Sequence, residues 1–294
     1  MVARIFMMVG NRHSGGYLSS TRETMSKKIV FIHGMFQTSK SWDKWVNHFT
    51  NLGYECSAPS WPDHVGDPQS LRDNPPATLG DLMLEDVIEA MEAAVIAAGG
   101  NNPEVAEKPI IIGHSVGGLL TQIFVSKNLA SVGVPICTVA PNMMMTLDWP
   151  FFKNVAAITN PFKGDEPFKQ TPESFHEAFC NTLDEASARQ AFEETAVHDS
   201  RNVLRGCLGS NGHIDLDMPQ VPMLFISAKE DHIVPTELVE KNSKAYTDAV
   251  TDMSFKEFEN RSHFICGEPG WEEVAGSIQN WLVTQQQVSH QQAF

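Results

Sequence analysis

Short apolar runs alternate along this chain with longer segments in which apolar residues recur every three or four positions. The short runs, rich in β-branched residues, indicate buried strands, and the longer segments predict amphipathic helices. The predicted strands are residues 27–32, 54–58, 109–113, 134–140, 221–227 and 254–258. The predicted helices are one that starts at Ser39 or Ser41 and stops at Gly53, residues 78–96 and 119–125, a helix from Thr236, and residues 271–283. This alternation predicts an α/β fold with a mostly parallel, doubly wound sheet and helices on both of its faces.

Residues 142–206 interrupt the alternation, because they contain no convincing strand. They hold three Pro-Phe pairs and two predicted helices with capping residues, one from Thr171 and one over 182–195. We therefore expect a helical lid at 142–206, inserted into an α/β core formed by residues 25–141 and 207–284.

Three other segments lack a helix or strand pattern. Residues 60–76 are rich in Pro, Asp and Gly and are expected to form a loop. Residues 1–24 carry three arginines and no acidic residue before Glu23, which faintly resembles an organelle-targeting peptide, although a flexible extension is the preferred interpretation. Residues 285–294 are polar and are expected to be a flexible tail.

Composition narrows the possible partners. The chain has 294 residues, of which 42% are hydrophobic, and a formal net charge of −15. A protein with this much negative charge is repelled by nucleic acid and by anionic lipid. We therefore expect neither nucleic-acid binding nor stable membrane association. The five cysteines are scattered and form no C-x-x-C pair, which suggests neither a disulfide framework nor a metal site and favours a reducing, cytoplasmic location.

A G-x-S-x-G motif at residues 113–117 carries the strongest chemical signal. It lies between a predicted buried strand and a predicted helix, which is the setting of a nucleophile elbow. The glycines leave room for the strand and the helix to approach each other, and the turn presents Ser115 as the candidate nucleophile. The backbone N–H of Val116 would then face the group that Ser115 attacks.

A serine hydroxyl needs a neighbouring base, and that base needs a carboxylate to orient it. In this fold class the chain order is serine, acid, histidine. Asp231 follows the strand at 221–227, and His263 follows the strand at 254–258, 32 residues further on. Asp148, which lies beyond the preceding strand, is the alternative acid. His232, next to Asp231, is expected to point away from this acid on an extended backbone.

The second oxyanion donor is expected after the first strand, where His33, Gly34 and Met35 begin a loop; we call residues 33–37 the oxyanion loop. There Gly34 would let the backbone turn, so that the N–H of Met35, or alternatively that of Phe36, faces the site. His33 would only brace this loop.

These motifs together resemble the α/β-hydrolase superfamily, from about residue 27 to residue 283. Segments around Phe179 and Glu268 resemble bacterial α/β-hydrolases of unassigned substrate that are often labelled lysophospholipase-like. The resemblance implies an α/β-hydrolase fold with a lid inserted after the sixth strand. It also implies a Ser-His-Asp triad, a mobile cap and no cofactor.

The expected activity is hydrolysis of an ester-like bond through an acyl-enzyme. The substrate is expected to be a small or medium apolar ester or lactone, and the protein a monomer or homodimer. Candidate substrate-binding residues are Phe36, His114, Trp149 and Phe264, with the methionines at 143–145 and the Pro-Phe pairs as further apolar candidates, although core packing explains many such side chains equally well. The same triad could also serve a cofactor-free lyase, for which Lys229 offers a cation, a C–C hydrolase, a perhydrolase, or a ligand receptor with slow hydrolysis.

Overall fold

Six parallel strands and ten α-helices alternate in the computed structural model, which describes residues 26–100, 108–144, 146–217, 221–247 and 252–292. The strands are β1 (Lys28–Ile32), β2 (Glu55–Ser57), β3 (Ile110–His114), β4 (Val132–Ile136), β5 (Met223–Ala228) and β6 (Met253–Phe258). The helices are α1 (Asp43–Asn51), α2 (Pro68–Asp73), α3 (Leu84–Val95), α4 (Val116–Ser126), α5 (Trp149–Thr159), α6 (Pro172–Ala178), α7 (Glu185–Thr195), α8 (Arg201–Cys207), α9 (Thr236–Ser243) and α10 (Trp271–Gln292). Short 3₁₀ turns lie at Ser39–Trp42, Leu79–Asp81, Pro161–Lys163 and Ser210–Gly212, and a wide turn at Ile96–Gly100 follows α3.

The sheet has the strand order β2-β1-β3-β4-β5-β6, and every neighbouring pair is parallel. Successive residues of a strand point to opposite faces, so each strand contributes to two cores. Ile110 and Ile112 of β3 pack on one face with α1 and α10, whereas Ile111 packs on the other face with α3, α4 and α9. The predicted doubly wound α/β fold is therefore confirmed.

Several predicted boundaries are wrong, and the structure gives the reasons. Residues 60–76 are not all loop, because the Asp67 side chain accepts a hydrogen bond from Ser70 N–H and starts α2 at Pro68. β4 ends at Ile136 rather than at residue 140, because Cys137 has a left-handed backbone with φ 43°. The last helix ends at Gln292 rather than at residue 283.

The segment between β4 and β5 contains α5 to α8, two helices more than the sequence predicted. The unpredicted helices begin at side-chain caps, in which Asp148 accepts from Phe151 N–H and Ser200 accepts from Asn202 N–H. An isolated antiparallel bridge joins Phe168 to Asp199 within this segment. The helical segment that contains α5 to α8 follows the fourth strand in chain order, and not the sixth as expected. We call residues 146–217 the inserted segment.

Two expectations fall on residues outside the described part of the chain, namely the extension at 1–24 and Met145. Among the described helices, none combines the length and the apolar character needed to cross a membrane.

Three glycines allow β1, β3 and α4 to approach more closely than side chains would permit. A Cβ on Gly113 would overlap the carbonyl oxygen of Gly117, and a Cβ on Gly117 would overlap that of Ile32. A Cβ on Gly34 would lie 2.6 Å from the Cβ of Ser115. The expected reason for the glycines of the G-x-S-x-G motif is thus confirmed, and the same reason applies to Gly34.

We predict that Gly117→Ala lowers the free energy of unfolding by about 2–4 kcal/mol, because a methyl group has no space against the backbone of β1. Urea unfolding followed by circular dichroism measures this. Gly276→Ala is the matched control, since a Cβ there meets nothing within 4 Å and α10 should gain up to about 1 kcal/mol. Equal effects at the two positions would contradict the prediction.

Candidate active site

Ser115 occupies the corner between β3 and α4 with φ 57° and ψ −119°, a conformation that residues other than glycine rarely adopt. Main-chain hydrogen bonds hold this corner. Ser115 N–H donates to the Ile136 carbonyl at 2.9 Å, and the Ser115 carbonyl accepts from Val139 N–H at 3.1 Å. The side chain lies at the carboxyl end of the central strand and is 7% exposed. The corner therefore has the strand-turn-helix form that the motif predicted.

Asp231 and His263 meet in the protein interior, although they follow different strands. His263 Nδ1–H donates to Asp231 Oδ2 at 2.7 Å, and both side chains are buried. The other carboxylate oxygen, Asp231 Oδ1, accepts from the N–H groups of Ile233 and Val234 at 2.7 and 2.8 Å. Because Nδ1 carries the proton, Nε2 of a neutral His263 ring has a free lone pair and can act as a base.

His263 lies beside the elbow that carries Ser115. His114 Nε2–H donates to the His263 carbonyl at 2.9 Å, and the two rings have centroids 4.6 Å apart. His263 Nε2 is buried and has no hydrogen-bond partner within the described ranges. Burial, and after it the charge of His263, holds the pKa of His114 well below its ordinary value. His114 therefore stays neutral and positions the His263 backbone.

The other acidic and imidazole candidates lie elsewhere. Asp148, the alternative acid, caps α5 through its bond to Phe151 N–H at 2.8 Å. His232 is exposed, and its Nδ1–H donates to the Glu177 carbonyl at 3.1 Å. The structure therefore pairs His263 with Asp231 and not with Asp148, and His232 is not part of this pair.

The oxyanion loop turns at Phe36 and not at Gly34. Phe36 has φ 63°, whereas Gly34 is not left-handed and is needed for its contact with Ser115. The N–H of Phe36 donates to Asp199 Oδ2 at 2.8 Å, so it is already used. The N–H groups of Met35 and Val116 donate to no other residue in the described part of the chain. Of the two alternatives in this loop, Met35 thus has the available donor.

His33 braces the oxyanion loop, as the sequence suggested. Its Nε2 accepts from Trp61 N–H at 3.1 Å, so Nδ1 carries the proton and donates to the Gly34 carbonyl at 2.9 Å. The His33 and Trp61 rings stack with centroids 4.7 Å apart. Burial, followed by the charge of His64, lowers the pKa of His33 to about 3.

Residues 29–276 match a protein-family model described as the alpha/beta hydrolase family. The chain belongs to this family. No curated protein matches its sequence. This hydrolase shares its fold with solved structures of other proteins at low sequence identity.

Three of these structures are a monoacylglycerol lipase from Paleococcus ferrophilus, a methylesterase from Arabidopsis and a tomato methylketone synthase. The lipase is 18% identical, with a TM-score of 0.64 over 89% of this chain and 96% of the lipase. The methylesterase is 12% identical, with a TM-score of 0.62 over 87% of this chain and 99% of the methylesterase. The synthase, solved in complex with 2-tridecanone, is 16% identical, with a TM-score of 0.63 over 88% of this chain and 99% of the synthase.

The inserted segment of this hydrolase forms one wall beside His263. The ring of Phe179 lies edge-on to the His263 ring, with centroids 4.9 Å apart. The Phe179 carbonyl accepts from Phe264 N–H at 2.8 Å, and Asn181 Nδ2 donates to the Glu230 carbonyl at 2.9 Å. The segment is therefore bonded to the loops that carry both Asp231 and His263.

The predicted substrate-binding residues occupy different environments. Phe264 is buried in an aromatic cluster with Phe175 and Phe179, and Phe36 packs against Phe168 of a Pro-Phe pair, with centroids 5.5 Å apart. Trp149 is 76% exposed at the start of α5, so its ring lies on the outer surface and does not enclose a pocket.

The other apolar candidates also divide between surface and core. Phe162 is 97% exposed, whereas Phe151 is buried and Met144 packs against the core.

One buried group in the described residues has the donor types of a metal site. The ligand atoms of His114, Cys137 and His263 lie within 4.8 Å of one another. These groups already have protein partners, since His114 binds the His263 carbonyl and His263 binds Asp231. Burial, and next the charge of Asp231, raises the pKa of the Cys137 thiol well above its ordinary value, so it stays protonated, whereas metals bind the thiolate. The three side chains are therefore better explained as groups that support the Asp231–His263 pair than as ligands of a metal ion.

Sequence reasoning assigned no role to Glu268, which supports the His263 loop. Its carboxylate accepts from Ser262 N–H and Ser262 Oγ–H, both at 3.1 Å, and from Thr182 Oγ–H at 2.6 Å. Burial raises its pKa. Glu268 lies in a segment that resembles the family, but its partners are visible only in the fold.

We predict that His33 makes the hydrolase less stable as pH falls below 6.5. The unfolded chain takes up a proton at this residue near pH 6.5, whereas the folded protein does so only near its pKa of about 3. The unfolded state thus binds more protons between these values, so the free energy of unfolding falls with pH, by at most about 1.4 kcal/mol per pH unit.

Chemical unfolding of the native protein and of His33→Gln at several pH values from 5 to 8 measures this contribution. The difference in stability between the two proteins should be constant above pH 7 and change steadily below pH 6.5. Parallel curves throughout the range would contradict the assignment of the low pKa to His33.

Proposed function

We propose that this protein is a serine hydrolase that cleaves an ester-like bond of a small or medium apolar substrate through an acyl-enzyme. The observation that carries the proposal is the buried Asp231–His263 hydrogen bond beside the strained Ser115 corner. A buried carboxylate that fixes the tautomer of an imidazole is the arrangement that activates a serine in acyl transfer. Family membership supports a hydrolase, and the residues supply the proposed chemistry.

In the proposed reaction, His263 Nε2 takes the proton of the Ser115 hydroxyl as its oxygen attacks the carbonyl carbon. The N–H groups of Met35 and Val116 stabilise the oxyanion, and Asp231 stabilises the imidazolium that forms. His263 then returns the proton to the leaving alcohol, which leaves an acyl group on Ser115. Water, deprotonated by His263, attacks this acyl group and releases the acid and free Ser115.

We propose that the inserted segment acts as the lid that shapes the substrate pocket. The aromatic side chains of Phe36, in the oxyanion loop, and of Phe168, which packs against it, favour an uncharged acyl or alcohol group. The structural neighbours that are esterases or lipases, and the synthase with its bound 2-tridecanone, agree with an apolar ester or lactone as substrate. The five free cysteines support a cytoplasmic location.

The lyase alternative has less support. Lys229, the cation that the sequence offered for a leaving fragment, pairs with Glu257 at 3.0 Å at the surface. No observed residue contact favours this reaction over ester hydrolysis in the described residues.

We predict that Ser115→Ala abolishes turnover of nitrophenyl esters, with a loss of kcat of about 10⁵-fold or more, because the proposed reaction begins with attack by the Ser115 hydroxyl. The assay should use the best ester from a chain-length panel. A fluorophosphonate probe followed by peptide mapping should label Ser115 in the native protein and nothing in the variant. Undiminished turnover by Ser115→Ala, or a label on another residue, would refute the proposed function.

We predict that Asp231→Asn lowers kcat by about 10³–10⁴-fold, because the amide no longer holds the reactive tautomer of His263. Asp148→Asn is the matched control, since this carboxylate follows the neighbouring strand but only caps α5. The control should keep its kcat and lose about 0.5–1 kcal/mol of stability at most. Similar losses of kcat in the two variants would argue against Asp231 as the triad acid.

A further inference from the structure

A second buried pair of histidine and aspartate contacts the oxyanion loop, Asp199 at Phe36 and His64 at His33. His64 follows β2, and Asp199 lies in the inserted segment before α8. His64 Nε2 and Asp199 Oδ2 are 3.3 Å apart, and both side chains are fully buried. The proposed mechanism does not use this pair, and the two residues are 135 positions apart in the sequence (199 − 64).

Asp199 holds the left-handed residue of the oxyanion loop. Its Oδ2 accepts from Phe36 N–H at 2.8 Å, and its Oδ1 accepts from Ser200 N–H at 2.7 Å. Two residues earlier in the inserted segment, Val197 N–H donates to the Phe36 carbonyl at 2.9 Å. Both main-chain polar groups of Phe36 are thus fixed by the inserted segment, one of them by a charge-assisted bond.

His64 is the cationic partner that a buried carboxylate needs. Its Nδ1–H donates to the Pro62 carbonyl at 2.8 Å, so the ring has a fixed orientation. Burial lowers the pKa of His64, but the charge of Asp199, which lies 3.3 Å from His64 Nε2 without hydrogen-bond geometry, and the bond to Pro62 together raise it above its ordinary value. The His33 ring, whose centroid lies 5.7 Å from that of His64, is neutral because its pKa is about 3, so it adds no second positive charge beside His64. A buried ion pair of this kind is costly to break from one side.

We infer that Asp199, paired with His64, is a positioning residue that fixes the oxyanion loop so that Met35 N–H faces the developing oxyanion. This inference rests on the proposed function, because it concerns the same reaction. Neither side chain touches the substrate. Asp199 acts through Phe36, whose neighbour Met35 is the available donor, and His64 holds the Asp199 side chain in place. The inserted segment thereby contributes to catalysis and not only to the substrate pocket.

The test replaces Asp199 with asparagine, which keeps the size of the side chain and removes its charge. Hydrogen exchange measured by mass spectrometry on a peptide spanning residues 34–38 reports on the loop without requiring activity. Exchange of the Phe36 amide should become at least about tenfold faster, because its bond to a charged acceptor is lost. Unchanged exchange in folded Asp199→Asn would overturn the inference.

Steady-state kinetics on the best ester test the catalytic consequence. Asp199→Asn should lower kcat by about 10- to 100-fold, less than the roughly 100- to 1000-fold typical of losing a donor outright, since Met35 N–H remains but is less well placed. KM should stay within about twofold, because the oxyanion forms only after binding. The affinity for a trifluoromethyl ketone, which forms a tetrahedral adduct on serine, should fall by the same factor as kcat/KM. A merely structural role would leave this affinity unchanged in the folded fraction.

Two further variants complete the experiment. His64→Gln should give a smaller loss in the same direction, and the double variant with Asp199→Asn should lose less than the product of the two single losses, because the pair acts as a unit. His64→Gln also tests the inference if Asp199→Asn does not fold. Asp184→Asn is the matched control, since Asp184 caps α7 in the same segment and should change stability but neither exchange of Phe36 nor kcat.

The outcomes separate this inference from the proposed function. If the native protein hydrolyses no ester and Ser115 takes no label, the proposed function fails. Hydrogen exchange still tests whether Asp199 fixes the Phe36 backbone. If Ser115→Ala is inactive but folded Asp199→Asn and His64→Gln keep their kcat and inhibitor affinity, the inference fails and the proposed function stands.

Discussion

The backbone of Ser115 is the constraint around which the rest of the site is arranged. A residue at φ 57° and ψ −119° costs on the order of 1–3 kcal/mol and persists only where its surroundings over-determine it. Two sets of contacts fix the Ser115 backbone. One is the pair of hydrogen bonds to Ile136 and Val139, and the other is the close packing at Gly34 and Gly117. The corner cannot relax without separating β3 from its neighbours or α4 from β1.

The parallel sheet explains why the other groups meet at this corner. All six strands end at the same edge, so loops that follow different strands are neighbours in space. The oxyanion loop follows β1, Asp231 follows β5, and His263 follows β6. The inserted segment follows β4 and is bonded to each of these loops, at Phe36, Glu230 and Phe264. Such bonding makes this segment part of the framework of the site.

The features that could be predicted from the sequence are those encoded locally. Buried strands such as β3 are short apolar runs, and the G-x-S-x-G motif specifies its own turn, so the fold class and the position of Ser115 followed directly. The pairing of Asp231 with His263 could be predicted from the order of the residues along the chain and from the rule that functional groups lie at strand ends.

Features that depend on distant contacts could not be predicted. A glycine usually indicates a flexible backbone, yet Gly34 is required for space beside Ser115, and the left-handed residue is Phe36, held by Asp199. Nothing near His64 or Asp199 in the sequence marks them as partners. Short capped helices such as α2 have too few residues to show a hydrophobic period.

The bonds that complete the site span long stretches of chain. They join residues 32 apart for Asp231 and His263, 149 apart for His114 and His263, and 163 apart for Phe36 and Asp199. Closing such loops is entropically unfavourable until the strands between them have assembled. A stretch cut from this chain would therefore carry the motif without its geometry, and transferring the site to another protein would mean transferring the order of the strands as well.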